Sequence, residues 1–279
     1  MFVAKSHSIL FTMNILVAIL SILMAVGGGL FMLSGDMNFM FLRKTVTLLE
    51  KRVNPPNANF GIGVGKLIML LTEKFSLVFF TYGFVNFLVC IVGMFAVCTQ
   101  KSTLLTVYQI LTAFLLVGHL SLLIGYYFSK QNFKDHLSNM LGEYMKDYIS
   151  LRSGASTSIF AGIVMATYNC CGLEAHRYFW ETPAFSPIDT YDNLLYKGLL
   201  FPVTCCKMDE KLKIVDKTCP TKFNKLNSNI GIGCGKPFSD NIAFITDMSV
   251  LSSLLILACN VIMMCITVKA LRDLEPISI

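Results

Sequence analysis

The residues with most capacity for chemistry are cysteines. Six of the ten, Cys170, Cys171, Cys205, Cys206, Cys219 and Cys234, fall in one hydrophilic stretch. An even set clustered in this way reads as a disulfide framework from an oxidising compartment. A zinc site would want CxxC-type spacing with histidines. Here there are two vicinal pairs, and His176, between them, is the only histidine after the first. Six cysteines allow fifteen pairings. A bond between neighbours in the chain is strained, because good bridges want Cα atoms about 4.4–6.8 Å apart. Excluding Cys170–Cys171 and Cys205–Cys206 still leaves several patterns open.

Other motifs are weaker. Gly61-Ile62-Gly63-Val64-Gly65-Lys66 has the glycine content of a phosphate loop but neither its spacing nor its following Ser/Thr. It echoes Gly231-Ile232-Gly233-Cys234-Gly235-Lys236, and both read as flexible re-entries to a membrane. No His/Cys metal cluster and no Ser/His/Asp set stands out. There is no Asn-x-Ser/Thr acceptor, so no N-glycan is expected. The ending Ile277-Ser278-Ile279 has the form of a PDZ-type ligand, although short apolar termini are common.

The elements that must hold these residues are set by composition. The chain has 279 residues, 54% apolar and 14% charged, against roughly a quarter charged in an average soluble domain. Mean hydropathy is +0.63. A soluble core cannot hide so much apolar surface, because even large domains bury only about three quarters of what the unfolded chain exposes. A bilayer core needs about 20 apolar residues as a helix. Four segments qualify: 9–33, 75–98, 102–128 and 242–268. None contains Lys or Arg, and the only carboxylate is Asp247. In lipid, every backbone amide must be satisfied within its own segment, so these are helices. The first has an apolar run longer than the ~7–15 residues of a signal peptide and reads as a retained span. The stretch Ile159 to Tyr168 is too short to cross and reads as a buried helix of a loop domain.

Between the spans lie a stub at 1–8, a loop at 34–74, a turn at 99–101, a large loop domain at 129–241 and a tail at 269–279. Both loops share one side. Lysine and arginine counts alone place that side in the cytosol, since Arg43, Lys44, Lys51, Arg52, Lys66 and Lys74 are in the middle loop. The cysteine cluster argues the other way, and long translocated loops follow charge poorly. Both loops are therefore expected outside and both termini inside. The net charge of +6 is spread over several segments and is no nucleic-acid footprint.

This pattern resembles the tetraspanin family over nearly the whole chain. The sharpest elements are Cys170-Cys171-Gly172 and Pro202-Val203-Thr204-Cys205-Cys206, with Cys219 and Cys234 completing a six-cysteine loop. There are departures. Where the family usually has Gly-Cys-Cys-Gly, only Cys98 remains, and His119 stands where an acidic residue is common. The middle loop is also long, which marks a divergent member. The resemblance implies the pairs Cys170–Cys234, Cys171–Cys205 and Cys206–Cys219. It implies an all-α integral membrane fold: a four-helix transmembrane bundle with a disulfide-rich, mainly helical large extracellular loop. It further implies a non-enzymatic membrane organiser at the plasma membrane, with endosomal or vesicle membranes as the other location. Its partners would be other integral membrane proteins, itself, other tetraspanins and membrane lipids, with no nucleic acid and no cofactor.

Particular residues carry these expectations. In the arm from Leu173 to Thr204, Tyr178, Phe179, Trp180 and Phe185 are candidates for partner recognition, because aromatic anchors are enriched at interfaces. The competing reading has them pack beneath the disulfides, favoured for Phe179 and Phe185. The six lysines between Lys207 and Lys225 read as a solvated face. Polar residues in spans usually face the bundle. Asn14, His119 and Asn260 are thus candidates either for helix-to-helix hydrogen bonds or for a pocket that, by resemblance, takes cholesterol. Asn14 and Asn260 are placed to bond each other directly. Cys98 and Cys265 are palmitoylation candidates near the membrane edge. The alternative function is a small-molecule or ion transporter or channel, with Asn14, Gln109, His119 and Asn260 along its path.

Overall fold

The computed structural model describes residues 2–33, 47–53, 60–175, 179 and 184–274. The chain divides into two compact units, the first comprising Met1–Leu33, Glu73–Ser129 and Ile245–Ile279, the second Ser34–Thr72 and Lys130–Phe244.

Four long helices, α1 (Phe2–Leu33), α2 (Phe60–Thr99), α3 (Ser102–Phe128) and, later in the chain, α6 (Gly235–Leu274), supply the first unit, to which α2 contributes from Glu73 onward and α6 from Ile245 onward. Each contains a stretch long and apolar enough to cross a membrane: His7–Leu30, Ser76–Thr99, Ser102–Phe128 and Gly235–Arg272. Their outward faces are greasy, with Phe114 at 73% exposure and Phe95, Val117 and Leu255 each at 64%, as a lipid solvent requires. A narrower seam, including Leu10, Val17, Val89, Ala96, Leu105, Tyr108 and Met263, forms the interior. Helices α1 and α2 approach closely. A Cβ on Gly28 would lie 2.6 Å from the Phe80 nitrogen, and one on Gly83 would lie 2.7 Å from the Ala25 nitrogen. Only glycine fits such backbone contact.

Gly61–Lys66, expected as a flexible re-entry, lies inside α2. The apolar residues between its glycines continue into Leu67–Leu71, and the helical run extends back through them. The second glycine segment is also not a loose linker. Cys234 N–H donates to the Gly172 carbonyl at 2.8 Å and Gly235 N–H to the Leu173 carbonyl at 3.1 Å.

The second unit contains α4 (Lys130–Lys146), a 3₁₀ turn at Leu151–Ser153, α5 (Ser156–Tyr168), strands β1 (Ile188–Tyr191) and β2 (Leu194–Lys197), and a 3₁₀ turn at Val203–Cys205. Residues 47–53 are also helical. Helix α4 is amphipathic: Leu137, Leu141 and Met145 recur at helical spacing and are buried. Helix α5 is buried continuously from Ser158 to Met165. Asn169 ends it in the left-handed region at φ 50° and returns its N–H to Met165, the capping role that asparagine tolerates. The β1–β2 hairpin pairs Tyr191 with Leu194 around Asp192 and Asn193. Both turn residues have positive φ, 49° and 62°, the geometry that suits the right-handed twist of the strands.

Two apolar clusters hold this unit. One gathers Leu137, Met145, Tyr148, Phe160, Val164 and Phe179 around Cys170, Cys171, Cys205 and Cys234. The other joins Leu49 and Val53 to Leu151, Ile159, Ile163, Tyr191 and Val203. The segment between the first two spans therefore contributes core residues to the unit built by the large loop.

Candidate functional site

The covalent frame comes first. Cys170 is joined to Cys234, Cys171 to Cys205 and Cys206 to Cys219, with Cα separations of 5.1, 5.0 and 5.9 Å. All six residues are buried. Gly172 follows the vicinal pair at φ 65°, a conformation glycine adopts without penalty. Its carbonyl accepts the Cys234 amide, and Cys171 N–H donates to the Ile232 carbonyl at 2.8 Å. Two bridges thus leave one dipeptide for two separate points later in the large loop. Each native bridge of a small domain is worth roughly 2–5 kcal/mol.

The bridges bracket the arm at 173–204. Phe179, a recognition candidate by residue type, is buried instead. Its ring lies 5.7 Å from Tyr148 and 5.6 Å from Phe185. Phe185 is half-buried and stacks on Tyr148 at 6.2 Å. These rings form the arm's own core, because a disulfide-pinned arm has few other apolar groups to shield. Tyr178 and Trp180 lie outside the described residues, as does His176. Among the described residues of the arm, the exposed large apolar side chains are Leu194, Leu195, Leu200 and Ile188, on and beside the hairpin.

The hairpin is fixed by two acidic residues with no motif to announce them. Buried Asp189 accepts the N–H groups of Leu151 at 3.0 Å, Arg152 at 2.9 Å and Thr190 at 2.8 Å. Burial pushes its carboxyl up, against the pull of those three amides. Asp192 receives the Arg52 guanidinium at 2.7 Å, while Arg52 Nε and NH2 donate to the Lys211 carbonyl at 3.3 and 3.1 Å. The hydrogen bond that Arg52 donates to Asp192 is the main cause that raises the Arg52 pKa. Beneath them Tyr191 donates its hydroxyl to the Leu212 carbonyl at 2.6 Å, and burial drives its pKa upward.

Within the helical unit the polar residues form two separate groups. In the first, the Tyr108 hydroxyl donates to Asn14 Oδ1 at 3.1 Å, and Asn14 Nδ2 donates to the Leu10 carbonyl at 2.9 Å. A Cβ on Gly93 would lie 2.6 Å from Asn14 Oδ1 and 2.5 Å from the Tyr108 ring. Asn260 is buried at 2% exposure and its Nδ2 has no hydrogen-bond partner. No hydrogen bond joins Asn14 to Asn260. Tyr108, a residue that reads as generic apolar filling in sequence, takes that role.

The second group centres on His119. Its Nδ1 lies 2.8 Å from the Tyr82 hydroxyl and its Nε2 3.1 Å from Ser253 Oγ. The Ser253 hydroxyl donates to the Val250 carbonyl at 2.8 Å. Its proton is thereby committed, so Nε2 donates to Ser253, while Nδ1 is bonded to the Tyr82 hydroxyl. This row borders a cavity of about 280 Å³ whose other lining residues include apolar Met24, Val78, Leu122 and Leu123 and polar Thr246 and Ser249. Tyr126, on the same cavity, donates to Asp247 at 2.9 Å. Of Asn14, Gln109, His119 and Asn260, only His119 lines this cavity.

Cys98 and Cys265 are exposed, Cys90 is buried and Cys259 is partly covered. Among the described residues, no group of three or more His, Cys, Asp or Glu side chains could hold a metal ion.

Four apolar helices, one of them separated from the rest by a three-bridge domain, define a class of multi-pass membrane protein. The model of the Tetraspanin family matches residues 6–271, and the chain belongs to the tetraspanin family. Members of that family are membrane organisers that associate laterally with membrane proteins and with one another, and are generally non-enzymatic. A search of curated proteins gives no match.

Proposed function

We propose that this protein organises partner membrane proteins laterally, with partner choice carried by the disulfide-bridged unit and both chain termini on the opposite, cytosolic side. The observation that carries the reading is the burial of all six loop cysteines in three bridges, which belongs to an oxidising compartment. The bridges anchor both ends of the arm, and preorganisation of that kind lowers the entropic cost of binding. The protein carries out no chemistry of its own in this reading and resides at the plasma membrane.

The cavity beside His119 is proposed to take the hydroxyl end of a sterol. Its volume is at the small end of ligand cavities, which run to about 300–1,000 Å³. The Tyr82–His119–Ser253 row supplies polar partners in a mainly apolar lining. Cys98 and Cys265, exposed on their helices, are the proposed acylation sites.

Alkylation of freshly quenched, intact membranes tests the topology. The six thiols should remain unreactive until reductant is added, and ready labelling without it would overturn the reading. Crosslinking in the membrane followed by mild-detergent capture should recover integral membrane proteins, and Cys171→Ala with Cys205→Ala should reduce that recovery. A sterol photoprobe should label the protein, and His119→Leu should weaken the labelling severalfold.

A further inference from the structure

A cavity of about 670 Å³ lies within the bridged unit, a volume in the usual range of small-molecule sites. Two stretches of chain, 173–175 and 231–237, form most of its wall. The Cys170–Cys234 bridge ties them together beside it. Cys171 N–H donates to the Ile232 carbonyl at 2.8 Å and Gly235 N–H to the Leu173 carbonyl at 3.1 Å. The backbones touch so closely that a Cβ on Gly233 would lie 2.5 Å from the Leu173 carbonyl oxygen. A wall held this firmly is formed before a ligand arrives, which lowers the cost of binding one.

The cavity carries charges of both signs. Lys236 and Glu174 line it, and both residues are exposed. Among the described residues, no ion pair engages either of them. Asp240 also lines the cavity, but its carboxylate is taken by Lys134 at 2.6 Å. One free cation and one free anion on a single cavity suit a zwitterion. A polyanion would find one lysine and be opposed by the carboxylate. A quaternary ammonium is held by aromatic faces, and among the described lining residues there are none; Leu173, Ile232 and Pro237 are aliphatic. A primary ammonium needs no such cage, because it donates hydrogen bonds directly to a carboxylate.

The position along α6 selects the source of the zwitterion. The apolar run begins at Ile242, six residues after Lys236 and two after Asp240. These are about 9 Å and about 3 Å of helix. The polar layer on each side of a bilayer core is about 5–8 Å thick. The first turns of α6 thus carry the cavity residues through the height at which phospholipid headgroups lie.

We propose that this cavity takes the headgroup of an ethanolamine phospholipid, with Lys236 on the phosphate and Glu174 on the primary ammonium. A choline headgroup has no N–H to offer Glu174, and a serine headgroup adds a carboxylate that Glu174 repels. The site is independent of the sterol cavity beside His119 and of which partners the arm selects.

The test uses the full chain with its bridges intact in a mild detergent, and native mass spectrometry to count retained lipid. The probes are phosphatidylethanolamine, phosphatidylcholine and phosphatidylserine with the same acyl chains, and water-soluble phosphoethanolamine. The ethanolamine lipid should bind at least fivefold more tightly than either of the others. Glu174→Gln should abolish the preference over choline, and Lys236→Gln should weaken binding of the ethanolamine lipid severalfold. A Cβ on Gly231, which lines the cavity, meets nothing within 4 Å, so Gly231→Phe should fit the fold and reduce binding by filling the space. Lys197→Glu, a charge change on the hairpin, should leave binding unaltered. Thiols that stay unreactive without reductant would establish that each variant keeps its bridges. Equal retention of ethanolamine and choline lipids by the unaltered chain overturns the proposal whatever the variants do. So does a preference that survives both Gln substitutions, or binding of soluble phosphoethanolamine without any preference among the lipids.

Discussion

Arg52 and Asp192 meet at 2.7 Å across 140 residues of sequence. The Asp192 amide also donates to the Arg52 carbonyl at 2.7 Å, so backbone and side chain close the contact together. This clasp attaches the short helical stretch at 47–53, through Leu49 and Val53, to the core containing Tyr191 and Leu151. A segment that the order of spans presents as a minor loop is a structural part of the bridged unit.

Arg52→Ala removes a half-exposed ion pair and two bonds to the Lys211 carbonyl. Exposed pairs contribute about 0.2–1 kcal/mol and hydrogen bonds from a charged donor about 1.5–3 kcal/mol. A loss of about 1–2 kcal/mol is expected in denaturant unfolding of the micelle-embedded chain with its bridges intact. Arg52→Lys should not restore it, because a single ammonium cannot reproduce the guanidinium fork.

Asp189 gives a prediction with the opposite sense from most acid denaturation. Its folded pKa lies above the ordinary carboxyl value because burial opposes the charge. A raised pKa contributes stability that is present below the unfolded value and is lost as pH rises through the folded value. Replacing wild type by Asp189→Asn should flatten this part of the dependence of melting temperature on pH. Asp189→Ala should cost more than Asp189→Asn at every pH, by about 1–3 kcal/mol, because buried amides of Leu151 and Arg152 lose their acceptor. Melting curves between the ordinary carboxyl pKa and neutrality check both statements.

The helix seam separates two neighbouring glycine positions. Gly83→Ala places a methyl group against the backbone of Ala25, whereas a Cβ on Gly27 meets nothing within 4 Å. Overpacking costs about 1–3 kcal/mol. Gly83→Ala should lower the yield of folded protein and its detergent melting temperature, and Gly27→Ala should leave both unchanged or slightly improved. Equal effects would refute the asymmetric packing.

Much of the architecture was legible from composition and spacing. The length of four apolar runs free of Lys and Arg required membrane helices, since lipid leaves the backbone no other partner. The even set of six clustered cysteines singled out one bridged loop. The apolar run Ile159 to Tyr168, too short to cross, lies in α5, which is buried from Ser158 to Met165. These signals are local: each is a property of consecutive residues against a known solvent.

The tertiary structure alone decided which residues meet. Arg52 with Asp192, Tyr108 with Asn14, and Tyr82 with His119 and Ser253 are contacts between distant segments, and no periodicity or motif marks them. Phe179 carries the residue type of an interface anchor, yet chain closure turns it inward onto Tyr148. Asp189 appears in sequence as one polar residue among many, and only folding removes it from water and points three amides at it. Hydrophobic length fixes what a segment must become. Pairwise contact depends on how the segments pack, and that is decided by the whole chain at once.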